Sequence, residues 1–158
     1  MSTSRLIVLA GLGLALGAAA CRIVPVDQAA PAGWTHAYLV TPAPGSPAVL
    51  YLWVTNPTAR ADTVTGVRVT DADSAQVHRT TAMGGGMEHM VPVAALPVAA
   101  HDTVTLSPGG VHVMVFGMPA GLGAGDSAAV TVTFRNAGDV AGYARVITYA
   151  QVDSLVMR

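Results

Sequence analysis

The strongest constraint on this chain is a two-residue alternation that recurs between turn signals from residue 34 onward. TVTGVRVTD, residues 63–71, sets Val67 and Val69 against Arg68 and Thr70. VHVMVFG, residues 111–117, sets Val111, Val113 and Val115 against His112, Met114 and Phe116. Successive side chains of a strand point to opposite faces, so this period belongs to β-structure with one buried face. WTHAYLVT (34–41), AVLYLWVTN (48–56), AQVHRT (75–80), MVPV (90–93), TVTLS (103–107), AAVTVTF (128–134) and ARVITYA (144–150) extend the series with β-branched and aromatic residues. Asn56-Pro57, Pro108-Gly109-Gly110 and the run from Gly121 to Asp126 punctuate it. No helical period of useful length competes. About eight to nine short strands at this spacing predict an all-β Greek-key sandwich or barrel.

The segment ahead of the strands has a different character. Residues 1–20, MSTSRLIVLAGLGLALGAAA, place one arginine before an apolar run and end in small residues. That is the layout of a secretory signal, and the apolar run is short for a membrane span. Cys21, the single cysteine, follows at once. LGAAAC resembles a bacterial lipobox, with Ala18 where leucine is usual, so Cys21 is expected to carry the lipid; plain cleavage after small residues is the alternative. A lone cysteine in an exported chain favours lipidation, because it has no disulfide partner. Residues 22–33 lack periodicity and read as a tether. The expected layout is a signal peptide over 1–20, lipidated Cys21 and tether over 21–33, and a β domain over 34–158. The expected location is the periplasm or cell envelope, as a membrane-anchored lipoprotein.

Charge narrows the function. The formal net charge is −1, all eight basic residues are arginine, and they are scattered. No basic patch is available to nucleic acid. Hydrolytic catalysis needs a nucleophile oriented by a base. No serine or cysteine sits in a recognisable elbow and acids are sparse near the histidines, so no enzyme is expected. A blue-copper electron carrier needs a thiolate beside two histidines, and Cys21 lies outside the β domain.

What stands out is MGGGMEHM, residues 83–90, in which three methionines and a histidine surround three glycines. Downstream, His112 and Met114 share one face of their strand, presenting an imidazole nitrogen and a thioether sulfur side by side. The order His78-x11-Met90-x21-His112-x-Met114 collects four neutral donors. Thioether sulfur is soft and suits Cu(I) over magnesium or calcium; zinc more usually takes thiolates, carboxylates or more histidines. Methionine also cannot form a disulfide in an oxidising compartment, although it can be oxidised to the sulfoxide.

Residues 77–118, VHRTTAMGGGMEHMVPVAALPVAAHDTVTLSPGGVHVMVFGM, resemble the PCu(A)C family of periplasmic copper chaperones. That family carries His-x10-Met-x21-His-x-Met, with M-x-P-V (Met90, Pro92, Val93) and PGG-x-H-x-M (Pro108 to Met114) around it. Residues 37–67, with their Asn-Pro turn and following AD-x-V-x-GV, are similar to its first strands. The resemblance covers roughly residues 35–150 and implies a cupredoxin-like fold with Cu(I) on His78, Met90, His112 and Met114. It also implies a carrier that delivers copper to a cuproprotein such as the CuA or CuB centre of cytochrome c oxidase, with a Sco-type thiol protein as co-partner. Copper storage or tolerance is a variant, and a metal-free extracytoplasmic interaction module is the alternative. The first gap holds eleven residues rather than ten, and the glycine run is the natural place for the excess. His78 and His89 are therefore rival imidazole donors, while Met83 and Met87 are secondary metal-ligand candidates that either form a lip over the site, bind a partner, or are filler. Glu88, His36 and His101 are expected at ordinary exposed or edge positions, and Trp34, Tyr51 and Trp53 in the core or at its rim. Because the sequence ends DSLVMR, the His/Met-rich tail that binds Cu(II) in longer relatives is not expected.

Overall fold

A computed structural model of the chain describes residues 30–42, 46–83, 85 and 87–157. The expected signal segment and Cys21 lie outside the described residues.

Among the described residues ten strands form: β1 Gly33–Val40, β2 Ala48–Asn56, β3 Asp62–Val69, β4 Ser74–Ala82, β5 Glu88–Pro92, β6 Leu96–Val98, β7 Asp102–Leu106, β8 Val111–Phe116, β9 Ser127–Phe134 and β10 Gly138–Ile147. A 3-10 turn, Tyr149–Gln151, and one short helix, α1 Val152–Leu155, follow. The strands pair in the order β5-β4-β8-β2-β1-β10-β9-β3-β6, with β7 added alongside β2. All pairings are antiparallel except β1 with β10, which run parallel with Tyr38 opposite Arg145. The sheet folds back on itself so that β3 packs against β4, giving the predicted all-β sandwich architecture.

Alternation decides what is inside. Val113 and Val115 of β8, Leu50 and Leu52 of β2, and Val130 and Val132 of β9 are fully buried and meet in the main core. On the reverse face of β1 and β2, a second cluster of Val40, Tyr51 and Ile147 is covered by Val152 and Val156 at the chain's end. Tyr51 lies in that cluster, with Trp53 packed at its rim.

Loops are tied down by buried polar groups whose partners are accounted for. Asn56, 1% exposed, donates from Nδ2 to the carbonyls of Arg60, Val98 and Ala99, while its Oδ1 accepts from the Thr58 backbone and hydroxyl. That is why the Asn-Pro turn needs asparagine: aspartate would lack the donors. Burial raises the affinity of the Asp62 carboxyl for a proton, yet the backbone N–H groups of Asn136, Thr63 and Ala137 outweigh it and hold its pKa below the ordinary carboxylate value. Asp62 thereby fastens the start of β3 to the β9–β10 turn.

The structure departs from the sequence reading at three places. Ala32 is 3% exposed and Gly33 opens β1, so the domain begins before Trp34. β6 has no sequence signal: three residues around Pro97 are too short to show a period, and proline is tolerated there because β6 ends the sheet. β10 starts at Gly138, six residues before the expected strand, and residues 149 and 150 leave it for the 3-10 turn. Its first half contains Gly142, over which the Trp34 ring lies: a Cβ there would stand 2.8 Å from ring carbons. Trp34 Nε1 donates to the Val140 carbonyl at 2.9 Å.

Candidate metal centre

The site is set by register. In the β4–β8 pair, His78 stands opposite His112, Gln76 opposite Met114 and Arg79 opposite Val111. Directly opposite residues share a face. His78, Gln76, His112 and Met114 therefore project from one side of the sheet, and Val77 and Val113 project from the other into the core. His112 and Met114, two apart on β8, are neighbours along the strand; His78 faces His112 across it. The two imidazoles stack with their planes 30° apart and their ring centroids 6.4 Å apart. Both histidines are buried, at 9% and 5% exposure, and Met114 is half-buried.

Each histidine has one ring nitrogen beside a hydrogen-bond acceptor. The Gln76 Oε1 only accepts, so its 3.3 Å contact with His78 Nε2 places the proton on that nitrogen. The Nδ1 lone pair of His78 is then free, and Nδ1 is a buried side-chain atom without a hydrogen-bond partner. His112 Nδ1 contacts the Gly110 carbonyl at 3.3 Å, which places its proton there and leaves Nε2 as the lone pair. Burial lowers the pKa of His78 below the ordinary histidine value, and the neighbouring His112 lowers it further. A neutral imidazole with a free, desolvated nitrogen is what a metal ligand requires. A buried polar atom without a partner is costly, and a soft cation between these donors would relieve it.

Met90 reaches the same face from the other side. β5 pairs with β4 so that Thr80 opposes Met90 and His78 opposes Pro92. Met90 is thus diagonal to His78, a separation of about 7–8 Å between backbones, and its flexible side chain is 48% exposed. The β4–β5 hairpin overhangs the sheet, because β8 pairs with β4 only as far as Arg79.

His89, Met87 and Met83 do not join this group. His89 opposes Thr81, and the Met83 N–H donates to the Met87 carbonyl across the hairpin at 2.9 Å. All three alternate with Met90 and so project from the opposite face, where they are exposed. Of the rival imidazoles, His78 stands with His112 and His89 does not. The parity of the positions carried this information. With a turn centred at Gly85, where φ is +62°, even-numbered residues on both strands share one face and odd-numbered ones the other. His36 is exposed and packs edge-on against Trp53, with centroids 5.9 Å apart; His101 is exposed at φ 56°. Among the described residues, no group of three or more His, Cys, Asp or Glu side chains gathers anywhere, so this centre depends on its methionines.

Comparison with known proteins agrees with the geometry. Residues 29–146 match the family described as "Putative lipoprotein LpqE-like". "Putative lipoprotein Lxx21020" of Leifsonia xyli subsp. xyli is 33% identical over 73 residues, which are 46% of this chain and 44% of that protein; the match thus spans under half the length of this relative. The copper-bound PCuAC domain from PmoF2 superposes with a TM-score of 0.61 at 29% identity, covering 73% of this chain and 91% of that domain. The Cu(I) form of DR1885 from Deinococcus radiodurans superposes with a TM-score of 0.63 at 26% identity, covering 83% and 85%. A family match over most of the chain, joined to these structural likenesses, makes the chain a member of the LpqE-like family with a PCuAC-type β domain.

Proposed function

We propose that this domain is a carrier of Cu(I), rather than an enzyme, and that His78, His112, Met114 and Met90 hold the ion. The observation that carries the proposal is the face-to-face pair His78–His112 with Met114 two residues along β8. Two neutral imidazoles and a thioether match a soft monovalent ion in donor type and in charge. Net charge at the site would stay at +1 without any proton leaving a thiol, so loading and release need no deprotonation of the protein. Solved relatives whose domains bind copper support the reading.

Copper would be passed on by ligand exchange to a copper-accepting cuproprotein. Neutral donors bind Cu(I) less tightly than thiolates, so transfer toward a thiolate-rich acceptor, such as the CuA centre of cytochrome c oxidase or a Sco-type thiol protein, runs downhill. Half-exposed Met90, at the sheet edge, is the donor best placed to let go first. The lipoprotein names of the relatives support an envelope location with Cys21 as the anchor.

Anaerobic titration with Cu(I) against a competing chelator tests the proposal. Wild type is expected to compete for Cu(I), whereas His112→Ala and Met114→Ala lose that competition. Full retention of binding in both variants would overturn the assignment.

A further inference from the structure

The two faces of the sheet edge around β4 carry the same arrangement of donors. On the inner face, His78 opposes His112 across a strand pair, and Met114 stands two residues along from His112. On the outer face, Met83 opposes Met87, and His89 stands two residues along from Met87. Each is an opposed pair plus a third donor at i+2, which in an antiparallel sheet is a triangle with sides of about 5.5 to 8 Å between backbones. The inner triangle has two imidazoles and one thioether; the outer has two thioethers and one imidazole.

We infer that Met83, Met87 and His89 form a second, exposed site for a soft monovalent cation, Cu(I) or Ag(I), on the outer face of the β4–β5 hairpin. Packing does not explain these side chains. Met83 and Met87 are 67% and 68% exposed, on a part of the hairpin that projects past the end of β8 and covers no core. Neither methionine belongs to either hydrophobic cluster. The hairpin backbone supplies what such a site needs: a paired register that holds two thioethers opposite one another, closed by a turn with Gly85 in the left-handed region. Long unbranched side chains can then close on an ion without moving the strands. The set again lacks any anionic donor, since Glu88 opposes Ala82 and projects from the inner face.

The two sites lie on opposite faces and share no residue, so the outer one stands or falls independently of the carrier reading. The outer donors are open to solvent and the inner imidazoles are buried, so the outer ion is expected to exchange faster and bind more weakly.

The test uses the full chain labelled with 13C at the methionine methyl groups and titrated with Ag(I), a redox-inert stand-in for Cu(I). Two equivalents are expected, with the Met83 and Met87 methyl resonances moving together in one step and that of Met114 in the other. Met83→Leu with Met87→Leu, both at exposed positions that tolerate leucine, should abolish one equivalent and leave the Met114 response intact. His112→Ala should leave the Met83 and Met87 response intact, so failure of either site is read separately. Uptake of a single equivalent with the Met83 and Met87 methyls unmoved overturns the inference. So does persistence of the second equivalent in the double leucine variant.

Discussion

At the scale of single residues, His78 carries the most information. Its Nε2 is occupied by Gln76 and its Nδ1 is buried with no partner. Burial first, and His112 second, hold its pKa below the ordinary value of about 6.5. The consequence for stability has a definite sign. As pH falls, the unfolded chain takes up a proton at this histidine before the folded chain does. The contribution of neutral His78 is therefore complete above the ordinary value, and it is lost as pH falls from there through the lowered folded value. Denaturant midpoints of the metal-free protein should drop as pH falls below about 6.5, and His78→Gln should flatten that drop. An equal pH slope in His78→Gln and wild type would refute the assignment. The same lowering keeps the Nδ1 lone pair available at mildly acidic pH, which extends metal binding downward in pH.

The elements explain how much of this was legible beforehand. The alternation in residues 111–117 was enough to put His112 and Met114 on one face and Val113 and Val115 in the core. It could not say which strand would lie alongside. The pairing of β4 with β8, which sets His78 against His112, joins segments thirty-odd residues apart and comes from tertiary register. The rivalry of His78 and His89 persisted in the sequence because the turn centre was unknown within three glycines, and a one-residue slip exchanges the faces. β6 and the glycine-bearing half of β10 were invisible for a different reason. Their residues are poor strand formers held by neighbours, Trp34 over Gly142 being the clearest case.

The hairpin also sets a mechanical condition on Met90. In a flat sheet, Met90 and Met114 would stand two strands and four residues apart, about 16 Å between backbones. Two thioether side chains do not span that distance across one ion. Both can bind only when the overhanging hairpin twists over His78, as a two-stranded ribbon free of further pairing is able to do. Cu(I) should therefore slow amide exchange in residues 80–82 and 88–90, beyond the reach of β8. Met90→Ala should abolish that protection while weaker binding by His78, His112 and Met114 persists. Protection that survives in Met90→Ala would mean the hairpin closes for another reason.

For the whole molecule, the donors cluster at the β5-β4-β8 end of the strand order, while the cores run through the rest of the sheet and leave β5 out. Such a division lets the site be loaded and emptied without unpacking the fold, which a carrier needs. Yet β4 and β8 belong to both parts: Val77, Val113 and Val115 are core, while His78, His112 and Met114 are donors. An ion held by His78, His112 and Met114 crosslinks β4 to β8 and must bias folding as well as binding. A ligand present at about 100 times its dissociation constant stabilises the native state by roughly 2.7 kcal/mol. Anaerobic thermal unfolding with buffered Cu(I) should show the midpoint rising by several degrees, in step with the logarithm of free Cu(I). His112→Ala should lose most of the rise, whereas Met83→Leu with Met87→Leu should keep it, because the outer pair closes only a local turn and leaves β8 untouched. A rise that depended on the outer pair and ignored His112 would place the stabilising ion on the wrong face of the sheet and exclude the β4–β8 crosslink as its cause.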